Sequence, residues 1–287
     1  MKFTAQSVTG FLTVFLPALF LTTQVFANNN ASVASSTTTV QDPRHGSIFS
    51  GFVQASRSTS LYDFQDGTRK DGMDYAARFN MKLTKDYTLR LDGGYSQDLV
   101  DPQGDDFGDT SLGLLRAPVA LGKLIMMGYK VGVVAPTSKA SRTLQNMQGA
   151  VSGSVSVSIN PERLIQGLSI VSGLSLRRNF HQYDTAMNGA VNTQYSSSQS
   201  ISVGYDWASG VSISGEFIHK NGLTYQNNIK ESFEHTEELG YSINDAFAVA
   251  VGHTNSGNAL KANGVDSNVA LIDENSSLVY GSLTVAF

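Results

Sequence analysis

The sequence predicts an all-β protein, a transmembrane antiparallel up-and-down β-barrel of about twelve strands. Three observations predict it. Apolar and polar residues alternate in segment after segment, which is the period of a β-strand. The connections between the segments are alternately short and long, and charged residues fall on one face of the segments. A strand with one face in lipid and the other in a watery lumen has this pattern.

The first 46 residues are predicted to lie outside the barrel. Lys2 is followed by an apolar run over residues 11–21 and by Val25-Phe26-Ala27, a small-x-small cleavage signal. This arrangement is typical of a secretory signal peptide, so residues 1–27 are assigned to one, with cleavage after Ala27. Residues 28–46 are polar and low in complexity, and we expect a disordered periplasmic tail. Residues 47–287 are then the barrel.

Composition excludes several other classes of exported protein. The chain of 287 residues has no cysteine, so it is not a disulfide scaffold. Its net charge of −4 provides no basic field, and nucleic acid is not an expected partner. The sequence contains no phosphate-loop, dinucleotide, zinc-protease or serine-hydrolase motif. We therefore expect no cofactor and no enzymatic activity.

Twelve strands are predicted after residue 46. They cover residues 47–60, 73–84, 87–97, 108–116, 123–136, 147–159, 167–179, 194–206, 210–220, 233–243, 247–255 and 276–287. The connections after even-numbered strands are predicted to be short periplasmic turns, and those after odd-numbered strands to be long extracellular loops. Tyr87, Tyr205, Trp207 and Tyr241 are expected to form a periplasmic aromatic girdle.

The last predicted strand runs to the end of the chain. Residues 277–287 read SLVYGSLTVAF, with an apolar ladder from Val279 to Phe287 on one face and mostly small or hydroxylated groups on the other. Such a strand, which stops on an aromatic residue, resembles the closing strand of Gram-negative outer-membrane β-barrels. The resemblance implies an outer-membrane location, with lipid and lipopolysaccharide around the barrel. It also implies that the barrel assembly machinery binds the strand that ends at Phe287.

Charged strand residues are assigned to the lumen, because a charge that faces lipid at mid-depth costs about 2–4 kcal/mol. The predicted pore-lining residues are Arg78, Lys82, Arg90, Asp92, Lys130, Arg177, Glu216 and Glu238. The cations of strands 2, 3 and 5 are expected to face the two glutamates across the pore. Opposed charges of this kind set selectivity at a constriction, so the main hypothesis is a monomeric passive channel for small solutes.

The same charges support a second interpretation. Paired charges also satisfy the interior of a closed barrel, and a salt-bridge network would then fill the lumen. The protein would in that case be a structural or surface-interaction barrel whose loops bind partners. Strand parity alone does not separate an open lumen from a filled one.

Histidines form a separate group on the outer face. His219, His235 and His253 have outward parity near the extracellular ends of their strands, close to Glu237. A histidine with a serine and an acidic partner would suit an outer-membrane lipid hydrolase, the weakest of the three alternatives. Residues 252–256 (GHTNS) lack the His-x-Ser spacing of outer-membrane phospholipases and lipid A deacylases, so no catalytic residue is assigned. A surface metal site would need converging ligands, and the sequence assigns none.

Two further segments carry a family likeness. Residues 108–114 (GDTSLGL) and 132–138 (GVVAPTS) are similar to the Gly-Asp-x-x-Leu-Gly-Leu and Pro-Thr-Gly patterns of the phenol-degradation-associated (meta-pathway) outer-membrane transporters. These are distant relatives of the long-chain fatty-acid channels. Ser138 stands where the family has glycine. The resemblance implies a transport function and leaves the substrate open.

Overall fold

A computed structural model describes residues 47–63, 69–101, 104–160, 163, 165–261 and 263–287 of the chain. The signal peptide and tail predicted for residues 1–46 lie outside the described residues, as does part of the turn predicted at residues 161–166. Within the described ranges, no helix is long and apolar enough to cross a membrane.

Strands make up most of the described chain. They are β1 Phe49–Ser60, β2 Asp71–Lys82, β3 Tyr87–Asp98, β4 Asp106–Phe107, β5 Thr110–Leu121, β6 Ile125–Ala135, β7 Met147–Ile159, β8 Leu168–His181, β9 Thr193–Asp206, β10 Val211–Thr224, β11 Ile229–Ser242, β12 Phe247–Asn258 and β13 Leu278–Ala286. A π-helical turn, Ala140–Leu144, lies between β6 and β7.

The sheet closes on itself. Each long strand pairs antiparallel with the next long strand, and β13 pairs with β1, where Ala286 lies opposite Phe52. The N–H of Phe287 donates to the carbonyl of Gly51 at 3.0 Å, so the chain end takes part in the closure. The two-residue β4 only continues the pairing of β3 beyond β5. The result is the predicted antiparallel barrel. It has twelve long strands, and each of them pairs with a long strand on both sides, so the sheet has no free edge.

The wall has an apolar outer face and a polar inner face. In β13, Tyr280, Ser282 and Thr284 are buried inside the barrel, whereas Leu283 is 44% exposed outside. Each of the twelve long strands carries at least one large apolar side chain that is exposed on the outer face. A continuous exposed apolar band of this kind is stable when hydrocarbon surrounds it, which is the property of a transmembrane barrel.

The turn predicted at residues 117–122 is wrong. β5 continues to Leu121 through a β-bulge between Arg116 and Val119, and the turn occupies residues 122–124. Pro118 lies inside the bulge, where its missing N–H breaks no ladder hydrogen bond. Gly122, with φ at +79°, supplies the left-handed conformation that the turn requires.

The long loop predicted after the ninth strand is also wrong. β10 extends to Thr224 and β11 begins at Ile229, so only residues 225–228 join them, with Asn227 at φ +64°. The strand ends were missed because they extend beyond the apolar band. Water contacts both faces of a strand there, and the alternation that marks a membrane-spanning segment disappears.

Candidate functional site

A basic cluster occupies one side of the inner wall. It consists of Arg78 on β2, Arg90 and Asp92 on β3, and Lys130 on β6. Asp92 accepts a 2.6 Å bond from Arg78 Nε and lies 3.4 Å from Lys130 Nζ. Arg90 Nε donates to Asn80 Oδ1 at 2.8 Å. Three cations with one carboxylate give this cluster a net charge of +2.

An acidic cluster occupies the other side. Glu216 and Lys220 come from β10, Glu234 and Glu238 from β11, and Tyr280 from β13. Lys220 Nζ lies 2.6 Å from Glu234 Oε2, and the Tyr280 hydroxyl donates to Glu238 Oε2 at 2.8 Å. Three carboxylates with one lysine give a net charge of −2. Sequence reasoning missed Glu234 and Tyr280, although Glu234 shares the parity of Glu238.

The two clusters lie on opposite walls. In the circular strand order, β2, β3 and β6 are about half a turn of the barrel away from β10 and β11. Apart from Lys220, the charged residues of both clusters are only 2–8% exposed. These side chains are therefore packed against their neighbours inside the barrel, and a solute that passed between the two walls would cross an electric field directed from the basic to the acidic wall.

A third inner group attaches a loop to the wall. Asp109, which is 2% exposed, accepts hydrogen bonds from Ser138 Oγ at 2.9 Å and Ser141 Oγ at 2.7 Å. Arg177 Nη2 lies 3.7 Å from the same carboxylate. Since Asp109 and Arg177 both face inward, these contacts bring the loop of residues 136–146 into the lumen. Asp109 lies in the segment that resembles the transporter family, but that pattern gave no sign of this role.

A second loop, residues 182–192, is hydrogen-bonded to the loop of residues 136–146. The N–H of Met187 donates to the Leu144 carbonyl at 2.9 Å, and Asn192 Nδ2 donates to the Gln145 carbonyl at 3.1 Å. Asn192 is 4% exposed. Residues 136–146 and 182–192 thus form one structure at the end of the barrel that is predicted to face outside the cell, and we call it the extracellular cap.

The predicted site residues fall into four places. Arg78, Arg90, Asp92 and Lys130 meet in the basic cluster, and Glu216 and Glu238 meet in the acidic cluster opposite. Arg177 joins the loop group at Asp109. Lys82 ends β2 with an exposed side chain at the rim that is predicted to be periplasmic, away from both clusters.

The outer-wall histidines do not meet a nucleophile. His219 Nδ1 lies 3.2 Å from Gln199 Oε1, and His253 Nδ1 lies 3.3 Å from Glu237 Oε2. Within the described ranges, no serine hydroxyl hydrogen-bonds to His219, His235 or His253. Ser256 has the opposite parity to His253, so its hydroxyl lies on the other side of the wall. The arrangement therefore lacks the serine that a lipid hydrolase requires.

Close packing between β12 and β13 leads to a testable prediction. Gly252 lies opposite Tyr280, and a Cβ on Gly252 would lie 2.4 Å from the Tyr280 ring. We expect Gly252→Ala to displace the ring, break its bond to Glu238 and destabilise the barrel by about 1–3 kcal/mol. Urea unfolding in lipid vesicles, followed by the fluorescence of Trp207, measures this loss.

The matched control for this substitution is Gly281→Ala on the same strand pair. A Cβ on Gly281 meets its nearest atom at an ordinary 3.9 Å, so the free energy of unfolding should stay near the wild-type value. Equal losses for the two variants would show that Tyr280 has no fixed packing against Gly252.

Comparison with known proteins agrees with the barrel fold. No protein-family model and no curated protein sequence matches the chain. An outer-membrane channel from Pseudomonas putida F1 superposes with a TM-score of 0.58 at 14% identity, covering 89% of this chain and 100% of that one. The chain has the fold of an outer-membrane channel. The NanC porin also superposes, with a TM-score of 0.54 at 10% identity over 82% of this chain and 98% of that one.

Proposed function

We propose that this protein is a passive channel of the bacterial outer membrane and that small solutes diffuse through its charged lumen. The observation that carries the proposal is the separation of charge, with a net +2 cluster and a net −2 cluster on opposite inner walls of the barrel. Opposed charges at a constriction favour polar solutes that can exchange water for contacts with both walls. Diffusion of this kind needs no catalytic step and no cofactor.

Location and partners form part of the proposal. The exposed apolar band supports insertion into a bilayer, with lipid and lipopolysaccharide around it. The final strand, which ends at Phe287, is paired with both β12 and β1 in the closed barrel. Recognition of that strand by the barrel assembly machinery is a prediction from its sequence.

The transport class is proposed from the family likeness. The segments that resemble the phenol-degradation-associated transporters contact each other, because Ser138 Oγ donates to Asp109. The serine that replaces the family's glycine therefore has a partner in the other segment. A glycine at position 138 would lack this bond, but it could still make the one from the Ser138 N–H to Asp109 Oδ1 at 3.2 Å. Thr137 Oγ1 also donates to the Gly108 carbonyl at 2.6 Å. These two contacts support the family likeness and leave the transported solute open.

A filled lumen is the second candidate. The clustered charges are 2–8% exposed, and the extracellular cap extends over the lumen. If the side chains close the passage, the barrel would serve as a structural or surface-interaction protein through its extracellular loops.

Single-channel conductance in a planar bilayer separates the two candidates. Protein purified from membranes should give a steady ohmic step. Replacing Arg78 and Arg90 together with alanine should shift ion preference toward cations, because two of the three cations of the basic wall are removed. Reversal potentials in a salt gradient measure the shift.

The control is Arg57→Ala. Arg57 is 64% exposed and pairs with Asp71 at the rim, outside the lumen, so its removal should leave ion preference unchanged. A correctly folded barrel that stays electrically silent would overturn the channel proposal and favour the filled lumen. If Arg57→Ala changed ion selectivity as much as the replacement of Arg78 and Arg90, the basic cluster would not be the selectivity filter.

A further inference from the structure

Three side chains that can bind metal converge on the outer wall between β11 and β12. His235 and Glu237 are two residues apart on β11, so the strand period places them on one face. His253 lies directly opposite Glu237 in the register between β11 and β12. The arrangement follows from a period-two strand and one hairpin, both of which are rigid parts of the barrel.

The ligand atoms are close enough for small side-chain rotations to bring them around one ion. His235 Nε2 lies 3.4 Å from Glu237 Oε1, and His253 Nδ1 lies 3.3 Å from Glu237 Oε2. One ligand atom from each residue can be chosen so that all three lie within 4.8 Å of one another. Two ligands that bind zinc at about 2.0–2.1 Å in tetrahedral geometry are themselves roughly 3.3 Å apart.

A bound cation would stabilise the carboxylate of Glu237. Its side chain is 54% exposed on the outer wall, beside the exposed apolar residues Leu239 and Val251. Within the part of the chain that the structure describes, its charged or ionisable partners are the two imidazoles, with no lysine or arginine among them. A carboxylate on a lipid-facing wall is costly, and a divalent ion held with the two rings would compensate it.

The two imidazole rings are largely covered, with side-chain exposures of 13% for His235 and 15% for His253. The second nitrogen of each ring, His235 Nδ1 and His253 Nε2, is buried without a hydrogen-bond partner, so each ring directs one nitrogen at the carboxylate. Asn255, two residues after His253, is fully buried; its Oδ1 accepts from Ser276 Oγ at 2.6 Å, and its Nδ2 donates to the Ala270 carbonyl at 2.7 Å. The last extracellular loop therefore covers the upper side of the cluster and leaves the side of Glu237 accessible.

We propose that His235, Glu237 and His253 bind a divalent transition metal of the zinc class, with the fourth position open to water or an external ligand. Two imidazoles and one carboxylate are a donor set that zinc uses when it keeps an open position. Copper(II) should bind the same ligands more tightly than zinc, following the usual order of affinities. Such an ion would connect β11 to β12 beneath the last loop, independently of transport through the lumen.

Calorimetric titration with zinc chloride at pH 7.5 tests the proposal on protein purified from membranes and freed of metal with a chelator. We expect one equivalent of zinc to bind. His253→Ala and Glu237→Gln should each weaken binding by at least about 100-fold, because even loss of a residue that only supports a ligand costs 10–100-fold. The copper(II) electron paramagnetic resonance spectrum should show coupling to two ring nitrogens in the wild type and to one in His253→Ala.

Two histidine variants serve as matched controls. His219 lies on the same outer face but bonds to Gln199, so His219→Ala should bind zinc like the wild type. His45 is outside the described residues, and His45→Ala should also retain binding. Heat-modified gel migration verifies that each variant is folded. Absence of zinc binding in the folded wild type, or unchanged binding in both His253→Ala and Glu237→Gln, would overturn the proposal.

Discussion

Replacing Leu91 with arginine should destabilise the membrane-inserted barrel by about 2–4 kcal/mol, the cost of arginine on a lipid face at mid-depth. Leu91 is 44% exposed on the outer wall, between Phe79 on β2 and Leu112 on β5 in the cross-strand register. It lies four residues after Tyr87, which starts β3. Four residues of a tilted strand rise about 10 Å, near the middle of an apolar band of about 25 Å.

Urea unfolding in phospholipid vesicles measures this loss, with Trp207, the only tryptophan of the chain, as the fluorescent reporter. The control is the neighbouring residue on the inner face. Arg90→Ala should fold into the same vesicles and change ion preference instead. If Leu91→Arg folded normally and Arg90→Ala did not, the two faces of β3 would be exchanged, as they would be after a one-residue slip in register.

The faces of the strands could be predicted from the sequence because lipid imposes a strict rule. A charged side chain in a spanning segment must face inward, so Arg78, Arg90 and Lys130 fix the parity of β2, β3 and β6 without any knowledge of pairing. All three are buried on the inner wall. The closed antiparallel topology could also be predicted from the sequence, since a hairpin connects each long strand to the next.

The strand ends and the loops could not be predicted in this way. The rule applies only within the apolar band, and β10 and β11 extend beyond it. The contact of Asp109 with Ser141 and Arg177 joins β5, a π-helical turn and β8, and no local pattern in the sequence encodes contacts between segments so far apart.

The histidine cluster is an intermediate case. Residues equally distant from a hairpin turn lie opposite each other, so the turn predicted at residues 244–246 already implies that Glu237 pairs with His253. Parity then adds His235 on the same face as Glu237. What the sequence did not provide is the orientation of the rings and the position of the last loop, which bonds to Asn255 beside them.

The second large effect is expected for Asp92→Asn, which should lower the free energy of unfolding by about 3–5 kcal/mol. Asp92 is 5% exposed and is paired with both Arg78 and Lys130, so its removal leaves a buried cluster of cations only. The double variant Arg78→Ala plus Asp92→Asn should recover part of the loss, because one unpaired cation is removed with the carboxylate. Urea unfolding in vesicles, combined into a double-mutant cycle, measures both quantities.

The loss of stability in Asp92→Asn indicates how well water hydrates the basic cluster. Asp71→Asn breaks the exposed pair with Arg57, whose partners lie 2.9 Å apart at the rim, and should give no measurable change in stability. A loss at Asp92 as small as at Asp71 would mean that water hydrates the basic cluster fully, which contradicts the packing of its side chains against their neighbours. The alternative outcome is that Asp92→Asn loses much stability and still conducts, with an increased preference for anions. This outcome would place the selectivity filter at Asp92 and its two cationic partners, because a charge can control both stability and permeation only where the lumen is narrow.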